Sequence, residues 1–156
     1  MAIREEVLLL REAEPFAGAD VAHLQVLAFS AERFSVPAGE WIVRRGEASG
    51  AGWLIRSGEA EALEGSGPRR VARLGRGAFI GALSMVGKVP HRVDVRATSR
   101  VSGLRIPHDL FIRVCSEFPE FGQLVLANLG RRLSGSVAEL ERVRSLFQQA
   151  RSFQQG

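Results

Sequence analysis

The chain predicts a mainly β domain with flanking helices, an antiparallel roll followed by a long C-terminal helix. Three observations carry that expectation. Between residues 32 and 107, short apolar or alternating runs recur at near-regular spacing, each bounded by Gly or Pro. Before residue 32 the apolar spacing is helical. After Glu120 apolar residues return every third or fourth position. At 156 residues the sequence suits one compact domain, large enough to bury its core without a covalent staple.

Taken in order, residues 1–30 are expected to form N-terminal helices. Ile3, Val7, Leu8 and Leu10 on a charged background give a short amphipathic helix. Phe16 leads into Asp20, a candidate N-cap for a second helix through Leu24, Leu27 and Phe29. Residues 31–107 form the roll. Glu32–Val36 alternates, Pro37-Ala38-Gly39-Glu40 turns, Trp41-Ile42-Val43 is apolar, and Gly46-Glu47 turns again. Gly52–Leu63 reads as two strands about Ser57-Gly58, and Val71–Leu74 runs to Gly75 and Gly77. Val101–Pro107 is the last strand. Residues 108–118 are a short helix begun by Asp109 and broken at Phe118-Pro119, and residues 119–153 are a long one.

That last helix can be written in heptads. Positions a are Leu126, Leu133, Leu140 and Phe147, and positions d are Leu129, Ser136, Val143 and Ala150, with Ser136 the polar exception. Four heptads on one seam exceed what a helix needs to cover a small barrel, so a parallel pairing between two copies is expected. The alternative is a helix folded back along its own barrel. It accounts for the first half readily and for Phe147 and Ala150 poorly. Gly135 marks the expected bend or close contact.

Composition excludes several classes. The formal charge is +4, but its 20 Arg and one Lys are interspersed with 17 acidic residues, and no run of five like charges or Arg/aromatic stripe suggests nucleic acid. A single cysteine, Cys115, lies in an apolar run and reads as a small buried hydrophobe rather than an activated nucleophile. Val7-Leu8-Leu9-Leu10 is too short for a signal segment, and no stretch reaches spanning length. The expected compartment is the cytoplasm, with no membrane contact. His23, His91 and His108 show no metal-ligand spacing, which disfavours an enzyme on a cupin-like roll.

The stretch at 79–97 carries the function. Phe79-Ile80-Gly81-Ala82-Leu83-Ser84 reads as a Gly turn into a short helix, Gly87-Lys88-Val89-Pro90 as a loop, and His91–Ala97 as a strand. Val93, Val95 and Ala97 alternate there with Arg92, Asp94 and Arg96. This stretch resembles the phosphate-binding cassette of the cyclic-nucleotide-binding domain family, whose usual form is Phe-Gly-Glu-x-x-Leu, a gap, then Arg-(Ser/Thr)-Ala-x-Val-x-Ala. Val36-Pro37-Ala38-Gly39-Glu40-Trp41-Ile42 with Gly46-Glu47, and Trp53-Leu54-Ile55 with Gly58, resemble the family's other anchors. The resemblance covers residues 16 to about 107 and implies an eight-stranded antiparallel jelly-roll barrel. It also implies a cAMP or cGMP site at Gly81, Ala82, Leu83, Ser84, His91, Arg92 and Val93, with Ser136 at the position that touches the base.

Two gripping side chains of the family are replaced. Its Glu falls on Ala82, its Arg on His91, its Ser/Thr on Arg92 and its small Ala on Val93. Ala82 has no acceptor for a ribose hydroxyl, and an unperturbed imidazole is mostly neutral at pH 7. Amides at Gly81, Leu83 and Ser84 remain as a weak anion turn. The expectation is a stand-alone regulatory module, impaired in the usual cAMP or cGMP binding, that works through a homodimer or a protein partner. One alternative is a genuine sensor with His91 on the phosphate, or with Arg92 re-aimed there by a bulge at Pro90. Another is the N-terminal part of a truncated transcription regulator. The family's regulators carry a helix-turn-helix after the long helix, and the sequence ends at Gly156 without one, so direct DNA binding is not expected. Ser136 is equally a tolerated polar residue on the helix seam.

Overall fold

The computed structural model describes residues 2–64 and 70–132. Helix α1 spans Ala2–Glu12 and α2 spans Val21–Ser30, joined through a 3₁₀ turn at Glu14–Phe16. Asp20 caps α2, its Oδ1 accepting from the Ala22 amide at 2.9 Å. Eight strands follow: β1 Glu32–Val36, β2 Trp41–Val43, β3 Ala51–Ser57, β4 Ala60–Leu63, β5 Arg70–Leu74, β6 Phe79–Ile80, β7 Asp94–Ala97 and β8 Val101–Pro107. Helix α3, Ala82–Gly87, interrupts them between β6 and β7. Helix α4, His108–Glu117, and α5, described over Pro119–Arg132, follow β8. Pro119 is the first residue of α5, where a missing amide hydrogen costs nothing.

The strands form two antiparallel four-stranded sheets, ordered β1-β8-β3-β6 and β2-β7-β4-β5. The expected closure into one barrel is corrected here, because among the described residues no ladder joins an edge strand of one sheet to an edge strand of the other. At one corner the chain turns through Pro37, which has no amide hydrogen to donate, and at another it re-enters through β6, only two residues long. The corner before β6 stays with its own sheet: Gly77 donates to Ile55 O at 2.8 Å, and Ile55 donates to Ala78 O at 2.9 Å.

The sheet containing β3 and β8 is buried on both faces, and the period of 2 explains how. Leu54, Leu104 and Ile106 point to the helices, while Ile55 and Val101 point to the other sheet, beside Ile42, Val43, Ala60, Val95 and Ala97. Close pairing of β3 and β8 requires Gly103: a Cβ there would lie 1.8 Å from Leu54 O.

On the helical side Phe16, Phe111 and Phe121 are fully buried, each worth about 2–3 kcal/mol of apolar transfer. Phe16 stacks on Phe121 at 6.0 Å and meets Phe79 edge-on at 5.2 Å. Asn128 ties α5 to the 3₁₀ turn, donating to Pro15 O at 3.1 Å and Ala17 O at 2.9 Å. The buried stripe of α5 is Phe121, Val125, Asn128 and Leu129, so Leu129 packs into the chain's own core while Leu126 is half-buried. Leu133, Ser136, Leu140, Val143, Phe147 and Ala150, the rest of the expected seam and base contact, lie outside the described residues.

Candidate functional site

The turn between β6 and α3 is built on Gly81, whose φ of 78° is left-handed. A side chain there would also collide with its surroundings, a Cβ falling 2.8 Å from His91 Cε1 and 2.9 Å from Ala51 O. The Met85 amide donates to Gly81 O at 2.9 Å, which leaves the amides of Ala82, Leu83 and Ser84 ahead of the first helical bond. At the other end Lys88 takes a left-handed φ of 55° and its amide returns to Ser84 O at 2.9 Å, ending α3 and sending the chain toward β7.

The loop before β3 holds the two halves of the stretch together. The His91 amide donates to Glu47 O at 3.0 Å, and Gly46 donates to His91 O at 2.8 Å. Ser49 Oγ lies 2.7 Å from His91 Nε2, and the Gly50 amide donates to Ser84 Oγ at 2.9 Å. Ser49 and Gly50 were not legible as site residues, since nothing in a sequence marks a loop serine as the partner of a histidine 42 positions away. Their hydrogen bonds occupy Ser84 Oγ and one imidazole nitrogen, so these two groups are structural before they are available to a ligand.

The result is one cavity of about 250 Å³. Gly81, Ala82, Leu83, Ser84, His91, Arg92 and Val93 all line it, so the sequence-predicted residues within the described part of the chain come together. Residues not singled out for it, chiefly Val43, Phe79, Ile80, Val89 and Leu129, complete an apolar wall. His91 is 8 % exposed, and Ala82 is buried at 7 %. Burial holds the His91 imidazole below its ordinary range, against a smaller opposing pull from Glu47. Strand alternation places Val95 and Ala97 inside. Arg96 pairs with Glu61 at 3.0 Å and Asp94 with Arg44 at 3.3 Å on the opposite face. Arg92 is exposed and contributes to the cavity wall from its rim.

The model of the cyclic nucleotide-binding domain matches residues 33–118, more than half of the chain. The protein belongs to the cyclic nucleotide-binding domain family. No curated protein matches the sequence. Among solved structures, this cyclic nucleotide-binding domain is similar to the N-terminal domain of a transcriptional regulator from Streptomyces coelicolor A3(2). That match has a TM-score of 0.74 at 21 % identity and covers 82 % of this chain and 91 % of that one. It is also similar to a cyclic nucleotide-binding-like protein from Brucella abortus, with a TM-score of 0.64 at 24 % identity over 70 % and 97 % of the two chains. The regulatory domain of Toxoplasma gondii PKA, solved with cAMP, gives a TM-score of 0.66 at 20 % identity. That match covers 72 % of this chain, which spans less than half, 44 %, of the Toxoplasma one. These likenesses confirm the fold.

Ala82 carries no hydrogen-bonding side chain, and the His91 imidazole is buried, which holds its pKa down. Among the described residues no helix is long and apolar enough to cross a membrane, and no group of His, Cys, Asp and Glu is placed to hold a metal ion.

Proposed function

We propose that this domain is a regulatory, non-enzymatic binding module whose pocket is impaired in binding cAMP and cGMP, and which acts through self-association or a protein partner. One observation carries the reading. The His91 ring lies against Gly81 at the turn, held by Ser49, and no carboxylate stands at position 82. Loss of two charge-assisted hydrogen bonds, at about 1.5–3 kcal/mol each, would make nucleotide binding approach a thousandfold weaker. Calorimetric titration with cAMP and cGMP tests this directly: no saturable heat at millimolar ligand is expected, and micromolar binding would overturn it.

A second reading is supported by Arg92, which lines the cavity although it is exposed. In an altered-cassette sensor its guanidinium would meet the cyclic phosphate from the rim. Saturable cAMP binding that disappears in Arg92→Ala would favour this sensor. For self-association, the heptad positions from Leu126 to Phe147 support a helix pairing between two copies, with Leu129 already engaged by its own core. Light scattering at tens of micromolar should return the mass of a dimer, and a monomer would refute the pairing.

A further inference from the structure

A second cavity, of about 270 Å³, opens beside the loop at 48–50, where the end of α3 meets the start of α4. Its charged liners are Lys88, Arg105 and Asp109, with Ser49 and His108 beside them. Three of these five side chains already have partners. The Arg105 guanidinium donates to Glu32 at 2.7 Å and lies 5.4 Å over the Trp53 ring. Ser49 Oγ meets His91 Nε2, and His108 Nδ1 donates to Met85 O at 2.7 Å, since a carbonyl only accepts. Lys88 and Asp109 are left. Among the described residues neither side chain has a hydrogen bond or an ion pair, and they do not pair with each other.

The backbone keeps the two charges on fixed elements. Lys88 is the one non-glycine residue in a left-handed conformation among the described residues, with φ at 55°, which glycine adopts at lower cost. Its side chain runs along Gly50, where a Cβ would lie 3.7 Å from Lys88 Cγ and 3.9 Å from Cε. The Lys88 amide is tied to Ser84 O at 2.9 Å, and the amide of His108, next to Asp109, is tied to Gly50 O at 2.7 Å.

The geometry points to a binding site for a small zwitterion of the amino-acid type, its carboxylate on Lys88 and its ammonium on Asp109. This site is separate from the cassette and does not depend on whether the cassette binds a nucleotide. Two arguments select the class. A lone anion on Lys88 leaves Asp109 as a like charge in the same cavity, and a lone cation on Asp109 leaves Lys88, whereas a zwitterion answers both. The volume admits an amino acid with a short side chain, since a cavity of about 150 Å³ already accepts benzene. Both charged side chains are exposed, so the expected affinity is about millimolar.

The test is titration of the intact protein with L-alanine, propionate and ethylamine, followed by the backbone amide resonances of Gly50, Lys88 and His108. The three probes share a carbon skeleton and differ only in which charges they carry. L-alanine is expected to move these resonances saturably and to bind about fivefold more tightly than either singly charged analogue, the margin of one ion-paired hydrogen bond. Lys88→Gly, which keeps the left-handed turn, should reduce L-alanine to the affinity of ethylamine, and Asp109→Asn should reduce it to that of propionate. Propionate or ethylamine binding as tightly as L-alanine overturns the zwitterion. Unchanged L-alanine affinity in both variants overturns the placement, and no saturable shift with L-alanine in the wild type overturns the site.

Discussion

The two halves of the cassette behave differently. The turn half, Phe79 to Ser84, keeps its form because the backbone requires it: Gly81 sits at a left-handed φ with Ala51 O and the His91 ring too close to admit a Cβ. The half after the loop, His91 to Ala97, keeps its backbone path through bonds to Gly46 and Glu47, and places an imidazole on the cavity wall with Arg92 beside it. A nucleotide pocket therefore separates into a frame, set by backbone geometry, and a clamp, set by two side chains. In this protein the frame is in place, and an alanine and an imidazole stand at positions 82 and 91.

The largest effect should come from rebuilding the clamp. Ala82→Glu with His91→Arg supplies a carboxylate and a guanidinium on an existing frame, and cAMP affinity measured by calorimetry should rise about a thousandfold, roughly 4 kcal/mol. No gain in the folded double variant would break the distinction between frame and clamp. Next comes damage to the frame itself. Gly81→Ala forces a left-handed alanine against Ala51 O and His91, and denaturant unfolding should show a loss of about 2–4 kcal/mol.

The bond linking the two halves should matter less. Ser49→Ala removes the hydroxyl that meets His91 Nε2 and should cost about 1 kcal/mol of stability by the same measurement. The smallest effect is a pH dependence. Because burial lowers the His91 pKa below the ordinary 6.5, the unfolded chain binds more protons than the folded one below that pH. The contribution is therefore complete above pH 6.5 and is lost as pH falls through the folded pKa. His91→Gln should flatten that acid limb, and an unchanged slope would show that the imidazole is not held as described.

Much of the fold was legible because local rules and tertiary demands agree. Asp20 caps α2 as its position before an apolar run suggests, and Pro119 separates α4 from α5. The inward set Val95 and Ala97 follows from a period of 2 that one residue of slippage would invert. The closed barrel was not borne out. Closure depends on whether edge strands are long enough to pair, and β6 turns out to be two residues. Heptad counting proved blind in another way: Phe121, Val125 and Asn128 share the buried face of α5 with Leu129, because a helix offers several overlapping apolar stripes and only packing selects one.

By itself the sequence determined the family frame and the absence of its two gripping side chains, since both are statements about which residue stands at a spaced position. Tertiary structure alone decided what stands at position 91: an imidazole folded against Gly81, held by a serine from a distant loop, on the wall of the cavity. The physical reason is that hydrogen-bond partners 42 residues apart leave no periodic signal in the chain. They meet only because the turns before β3 and after α3 are brought to the same end of the roll.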